Sequence, residues 1–216
     1  MTECSRTRGP SYKKILTLLC MIGYQIIESP FGNVVLGMRS GKIVFCHFAL
    51  PSLETVLGRV RSDFSEEEMV RGESLLCPGG DVVEAYTFDD LLTGRGSIFR
   101  WEDLQVRGTE LQVAVWREMF RLQPGELITY SQLAARCGYP RAVRAVASAV
   151  GKNPISLIIP CHRVVRSEAF VHRGGDFATE GGSAGKESGK INVSKLGNYY
   201  WGKELKIKIL EWEELI

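Results

Sequence analysis

The hydrophobic period changes once along this chain, and that change limits the folds open to it. Across residues 24–48 apolar side chains run in short stretches broken by Ser29-Pro30-Phe31-Gly32 and by Ser40-Gly41. Short apolar runs between turn residues predict three strands, 24–28, 33–38 and 42–48, joined as a meander. After Gly108 the spacing becomes helical. Thr109 precedes Leu111, Val115, Met119 and Leu122, and Pro124-Gly125 stops the run. A sheet-forming part followed by a helical part predicts an α+β fold. The expected division is a loose tail over 1–22, an amino-terminal unit over 23–106 and a carboxy-terminal unit over 107–216.

Weaker signals fill in the rest. Residues 52–62 suit an amphipathic helix, 82–92 a second, weaker one, and 98–106 a return to the sheet. A helix over 131–136 would begin at Ser131, whose hydroxyl can cap free amides, and end at Gly138. Pro140 would open the next helix, 141–150, with Gly151 as its stop. Two short helices separated by Gly138-Tyr139-Pro140 have the layout of a helix-turn-helix. On the second, Arg141, Arg144 and Ser148 fall at i, i+3 and i+7, with small alanines between them. That surface suits DNA, and equally an ordinary exposed helix. Residues 156–159 form an apolar run that leads to Pro160-Cys161-His162-Arg163. Residues 174–190, rich in Gly and Ser, have the composition of a flexible insertion. Order resumes near Leu196, and 205–212 closes the chain as a helix or strand.

The net charge of the 216 residues is only +2, too small to argue for a polyanionic partner by itself. The charge is unevenly placed, however: residues 107–173 hold ten Lys or Arg against four Glu. The six cysteines are widely spaced without a C-x-x-C pair, which signals neither a zinc site nor a disulfide framework. They read as reduced thiols of an intracellular protein. Lys13-Lys14 before an apolar run has the start of a secretory signal, but no small-x-small cleavage site follows, and the run is far short of the roughly 20 residues that span a bilayer. No membrane association is expected.

Cys161 stands beside His162 and Arg163, the base and the positive charge that raise a thiol's thiolate fraction. Adjacent residues on a strand face opposite ways, so a contact between Cys161 and His162 would need a turn at Pro160. Cys46-His47, a second such pair inside a predicted strand, reads as core and edge.

Several motifs occur in one order: Gly108-Thr109-x-Leu111-Gln112-x-x-Val115-Trp116, Pro124-Gly125-x-x-x-Thr129-Tyr130, Arg141-Ala142-Val143-Arg144-Ala145-Val146, Asn153-Pro154 and Ile159-Pro160-Cys161-His162-Arg163-Val164-Val165. Together with Gly197-Asn198-Tyr199-Tyr200-Trp201-Gly202, and with Ser29-Pro30-Phe31-Gly32 in the first part, they resemble the O6-alkylguanine-DNA alkyltransferase family. The resemblance implies a small ribonuclease H-like amino-terminal sheet domain and a mostly helical carboxy-terminal domain with a winged-helix-like helix-turn-helix. It implies direct-reversal DNA repair, in which an alkyl group passes irreversibly from guanine O6 to Cys161, one turnover per molecule. His162 would act as base through a water, Glu213 would orient the imidazole, and Asn153 would brace the active-site turn. Arg144 would replace the flipped guanine in the stack, Tyr130 would rotate the 3′ phosphate, and Arg141 and Ser148 would share the DNA face. Val164, Tyr199, Tyr200 and Trp201 would form the substrate pocket.

The implied partner is double-stranded DNA carrying O6-alkylguanine, with O4-alkylthymine open as a second substrate. The protein would act as a monomer, without cofactor or metal, in a nucleus or, in a prokaryote, the cytoplasm. Four departures stand out. Leu111 takes a position where Phe is common, Ala147 and Ser148 replace at least one usual glycine, residues 174–190 lengthen the loop between Cys161 and the pocket tyrosines, and Trp201 stands where some members have Gly. The last predicts poor reaction with bulky benzyl-type guanines. A lesion-binding protein that does not react, and a thiol hydrolase built on Cys161 and His162, are the competing readings. The first lacks the acceptor cysteine, and the second leaves the helix-turn-helix unexplained.

Overall fold

The computed structural model describes residues 21–64, 68–72, 75–76, 82–83, 86–94, 98–170 and 191–216. Residues 1–20 of the expected tail and the expected insertion over 174–190 lie outside the described residues.

The meander forms as the period predicts. Strands β1 (Met21–Ile27), β2 (Val34–Arg39) and β3 (Lys42–Phe48) pair antiparallel. Helix α1 (Leu53–Asp63) then leads to β4 (Glu68–Arg71), which pairs parallel to β1, giving the order β3-β2-β1-β4. The first strand starts at Met21, two residues before the expected boundary. In β2, Val34, Val35 and Leu36 are all buried, because both faces of the sheet are covered. On one face Val56, Leu57 and Val60 of α1 meet Ile22, Val35 and Phe45. On the other, Val34, Leu36 and Phe48 enter a core shared with Trp116, Ile158 and Ile209. This larger core draws residues from both sides of position 107, so the two halves are joined by apolar packing. The Ser52 hydroxyl caps α1 by accepting the Thr55 amide at 3.2 Å.

The stretch between sheet and helices departs from expectation. Val82–Val83 is a short strand, β6, paired with β5 (Leu75–Leu76), and helix α2 spans only Phe88–Thr93. Thr87 accounts for the late start: it caps α2, with Asp90 bonding back to the Thr87 amide. Residues 98–106 do not rejoin the sheet as a strand. They make a 3-10 turn, Trp101–Asp103, and Leu104 bridges to Ile43.

Helix α3 (Glu110–Phe120) begins at Thr109, as the spacing predicts. Its Trp116 indole donates to the Ala149 carbonyl at 2.8 Å and ties it to the later helices. Strand β7 (Ile128–Thr129) pairs in parallel with β8 (Val164–Val165). Helix α4 (Tyr130–Arg136) is capped by Thr129, not Ser131: the Thr129 hydroxyl accepts the Gln132 amide, and the Gln132 side chain accepts the Thr129 amide at 2.9 Å. Helix α5 (Val143–Gly151) starts two residues later than Pro140 suggests. Ala142 is non-helical and its amide bonds back to the Tyr139 carbonyl at 2.9 Å, so Pro140 and Arg141 sit in the turn. The expected stripe therefore keeps Arg144 and Ser148 on the helix and places Arg141 in front of it.

Residues 156–159 are buried as expected, but as turns, with Leu157 held at a φ of 70°. Such backbone costs about 1–3 kcal/mol and persists only where surrounding packing enforces it. Helix α6 (Lys203–Trp212) closes the chain.

Candidate active site and nucleic-acid interface

Cys161 opens a 3-10 turn, Cys161–Arg163, immediately before β8. A buried segment carries it there. Ile155 bridges to Cys46 at the edge of the sheet, where the Cys46 amide donates to the Pro154 carbonyl at 3.0 Å and the Ser156 amide donates to the Cys46 carbonyl at 2.8 Å. Asn153 locks the turn from within. Its Nδ2 donates to the Ile159 carbonyl at 2.7 Å and its Oδ1 accepts the Ile155 amide at 3.1 Å. The turn fixes the thiol with only 7% of its residue surface exposed.

Cys161 lies in a cleft of about 580 Å³. Of the residues singled out from the sequence, Tyr130, Arg144, Asn153, Tyr199, Tyr200 and Trp201 line it as well. His162 and Glu213 do not; His162 is buried in the turn that Cys161 opens, and its Nε2 lies 3.3 Å from Glu213 Oε2. Val164, expected in the pocket, is fully buried and not among the residues that line the cleft; its carbonyl accepts Lys206 Nζ at 2.6 Å. Arg144 and Ser148 are exposed on α5, and Arg141 is exposed in the preceding turn. Gly197, at a φ of 92°, turns the chain toward Asn198 and Tyr199 where a Cβ would meet the Arg166 side chain at 3.2 Å.

Burial pushes the Cys161 thiol up from its ordinary pKa; the Asn153 amide, the Lys206 charge, backbone hydrogen bonding and the Tyr199 hydroxyl pull it back toward the thiolate. The same burial, with the facing thiol, drives Tyr199 well up, and Tyr199 thus stays a neutral hydrogen-bond donor. Burial alone would raise the Glu213 carboxyl. Hydrogen bonds and charges from His162 and Arg163 outweigh it and hold the group at about 2.

Lys206 had no role expected from the sequence, and Arg163, expected as the positive charge beside the thiol, is committed to Glu213 instead. Arg163, 1% exposed on its side chain, grips Glu213 through Nε at 3.0 Å and through Nη2, and donates from Nη1 to the Gln123 carbonyl at 2.9 Å. Lys206 is fully buried, and desolvation lowers it to about 8. A signal for Lys206 was present: it shares the buried stripe of α6 with Ile209 and Leu210, where an uncharged residue would be expected. Cys46 and His47, read as core and edge, lie closer to the site than that reading implied. Cys46 is fully buried and holds the Pro154–Ser156 segment, and His47 lines the cleft.

The family described as 6-O-methylguanine DNA methyltransferase, DNA binding domain, matches residues 110–187. A probable methylated-DNA-protein-cysteine methyltransferase of Acanthamoeba polyphaga mimivirus is 37% identical over 121 residues, 56% of this chain and 64% of that protein. The methylated-DNA-protein-cysteine methyltransferase of Methanosarcina barkeri is 34% identical over 146 residues, 67% of this chain and 83% of that protein. The chain belongs to this methyltransferase family. The OGT of Mycobacterium tuberculosis, solved in complex with DNA, superposes with a TM-score of 0.56 at 25% identity, over 89% of this chain and 92% of that one. The shared fold agrees with the α+β class expected from the hydrophobic period. No helix among the described residues is long and apolar enough to cross a membrane.

Proposed function

We propose that this member of the methyltransferase family repairs DNA by direct reversal, moving the alkyl group of O6-alkylguanine to the sulfur of Cys161. The observation that carries this reading is the cleft itself. A buried thiol faces it, His162 follows that thiol in the same 3-10 turn and pairs with Glu213, and exposed Arg144 lines it from α5.

The chemistry follows from the groups present. The thiol proton passes through a water to His162, whose imidazolium is stabilised by Glu213. The thiolate attacks the alkyl carbon, the carbon–oxygen bond breaks toward O6, and the guanine recovers a proton from His162. A thioether is left on Cys161. Water does not reverse it, and one molecule therefore performs one transfer without a cofactor.

A stacked, paired guanine cannot present its O6 substituent in line to a protein thiol, so the nucleotide must turn out of the helix. Arg144 would fill the vacated stack, Tyr130 would hold the rotated 3′ phosphate, and Arg141 and Ser148 would meet the backbone. Tyr199, Tyr200 and Trp201 would enclose the base with the backbone at Val164, while Asn153 keeps the acceptor turn rigid. O4-alkylthymine presents a comparable exocyclic alkoxy group and is the second substrate to try. In this reading the sheet part up to residue 106 buttresses the acceptor turn, and the part from 107 binds DNA as a monomer in the compartment that holds it.

Intact mass after incubation with excess duplex carrying one O6-methylguanine tests the reading, with Cys161→Ala alongside. A gain of one methyl group mapped to Cys161, absent in the variant and never exceeding one equivalent, is expected. Binding without any mass change would refute transfer and leave a lesion sensor.

A further inference from the structure

One wall of the cleft is assembled from residues far apart in sequence. Arg59, exposed on α1, donates from Nη1 to the hydroxyl of Tyr200, 141 residues later. Its guanidinium carbon lies 5.4 Å from the centre of the Tyr200 ring. The guanidinium thus meets Tyr200 at both its hydroxyl and its ring, and the bond to the hydroxyl is charge-assisted and directional.

Tyr200 needs such a tether to hold one position, since 56% of its surface is exposed. Its ring meets Trp201 edge to face, with centroids 4.7 Å apart at 80°. Trp201 is fixed in turn: its indole donates to the Ser156 hydroxyl at 3.3 Å, and its ring packs against His47 and Phe48. The series Arg59, Tyr200, Trp201 and Ser156 borders the same cleft as Cys161. His47, beside it, is held down to about 4 by burial and by the charge of Arg59, which agrees with the guanidinium facing into this wall.

We propose that Arg59 is a specificity-determining residue: by tethering Tyr200 it fixes the Tyr200–Trp201 pair as the wall that limits the size of O6 substituent admitted over Cys161. This rests on the alkyl-transfer reading. A methyl group needs little space beyond the base, whereas a benzyl group must displace an aromatic wall. An untethered Tyr200 rotates out at low cost, and the larger substituent then enters.

The test uses the full-length protein with Arg59→Ala and, separately, Tyr200→Phe, which removes only the accepting oxygen. Both positions are exposed, so neither change opens a core. Rate constants for mass gain at Cys161 are measured on two duplexes of one sequence, one carrying O6-methylguanine and the other O6-benzylguanine. The benzyl-to-methyl ratio of rate constants is expected to rise threefold or more over the parent in both variants. Loss of a simple phosphate contact would slow both duplexes alike and leave the ratio unmoved. A parent that gains no methyl group overturns the transfer reading and this wall with it. A methylated parent whose ratio fails to rise threefold in either variant overturns the wall alone.

Discussion

Glu213 accepts from Arg163 and faces His162, both buried, and this arrangement makes a quantitative prediction for Glu213→Gln. Its carboxyl is lowered from 4.5 to about 2 in the folded protein. A depressed folded pKa adds stability above the unfolded value, and that stability is lost as pH falls through the window from about 4.5 to about 2. At roughly 1.4 kcal/mol per pH unit, the interaction contributes about 3 kcal/mol at neutral pH and about 1 kcal/mol at pH 3. That agrees with the few kcal/mol expected when one partner of a buried ion pair is removed. Glu213→Gln should therefore be less stable than the parent by about 3 kcal/mol at pH 7, and the gap should narrow by about 2 kcal/mol at pH 3. Urea unfolding of both proteins at the two pH values measures it, and subtraction removes the other carboxylates, which titrate alike in each. A gap that stays constant with pH would refute the claim that Arg163 and His162 stabilise an ionised Glu213.

Three further outcomes are expected. Because burial raises the Cys161 thiol, its alkylation by iodoacetamide in the DNA-free protein should keep accelerating above the ordinary thiol pKa of about 8.5; a plateau below that pH would mean the thiolate already dominates. Arg144→Ala should change unfolding free energy by less than about 0.5 kcal/mol, since the side chain is exposed. It should nevertheless slow methyl transfer on duplex DNA roughly tenfold or more, each ~1.4 kcal/mol of lost extrusion energy being a factor of ten; an unchanged single-turnover rate would remove Arg144 from the DNA face. Asn153→Ala should cost about 1–3 kcal/mol in urea unfolding, because the Ile155 amide is left buried without its acceptor while the Ile159 carbonyl keeps only the Cys161 amide. A cost below 1 kcal/mol would mean that the turn holds without it.

Elements with strong local signals are legible in the residues alone. The strand meander and the Thr109 cap each depend on neighbours within a few residues and form within three residues of where the pattern places them, whereas the helix after Thr109 ends at Phe120, short of the expected stop at Pro124-Gly125. The late start of α5 is not legible, because Pro140 suits the first turn of a helix and a tight turn equally well. Only the Ala142-to-Tyr139 bond distinguishes them. The motif around Cys161 can be recognised as a unit, and its pairing with Glu213 is implied by resemblance. That Arg163 grips the same carboxylate is not, since nothing in a Pro-Cys-His-Arg run says which way the guanidinium turns.

By itself, then, the sequence determined the meander, the helix after Thr109, the candidate thiol and the basic helical surface, all properties of local period and residue type. Tertiary structure alone decided how deeply Cys161 is buried, what faces it and how its pKa moves, because desolvation and charge act through space between residues tens of positions apart. It alone joined Arg59 to Tyr200 and Cys46 to the acceptor turn. Those contacts exist because one apolar core draws the two halves together, and no local repeat encodes the register in which they meet.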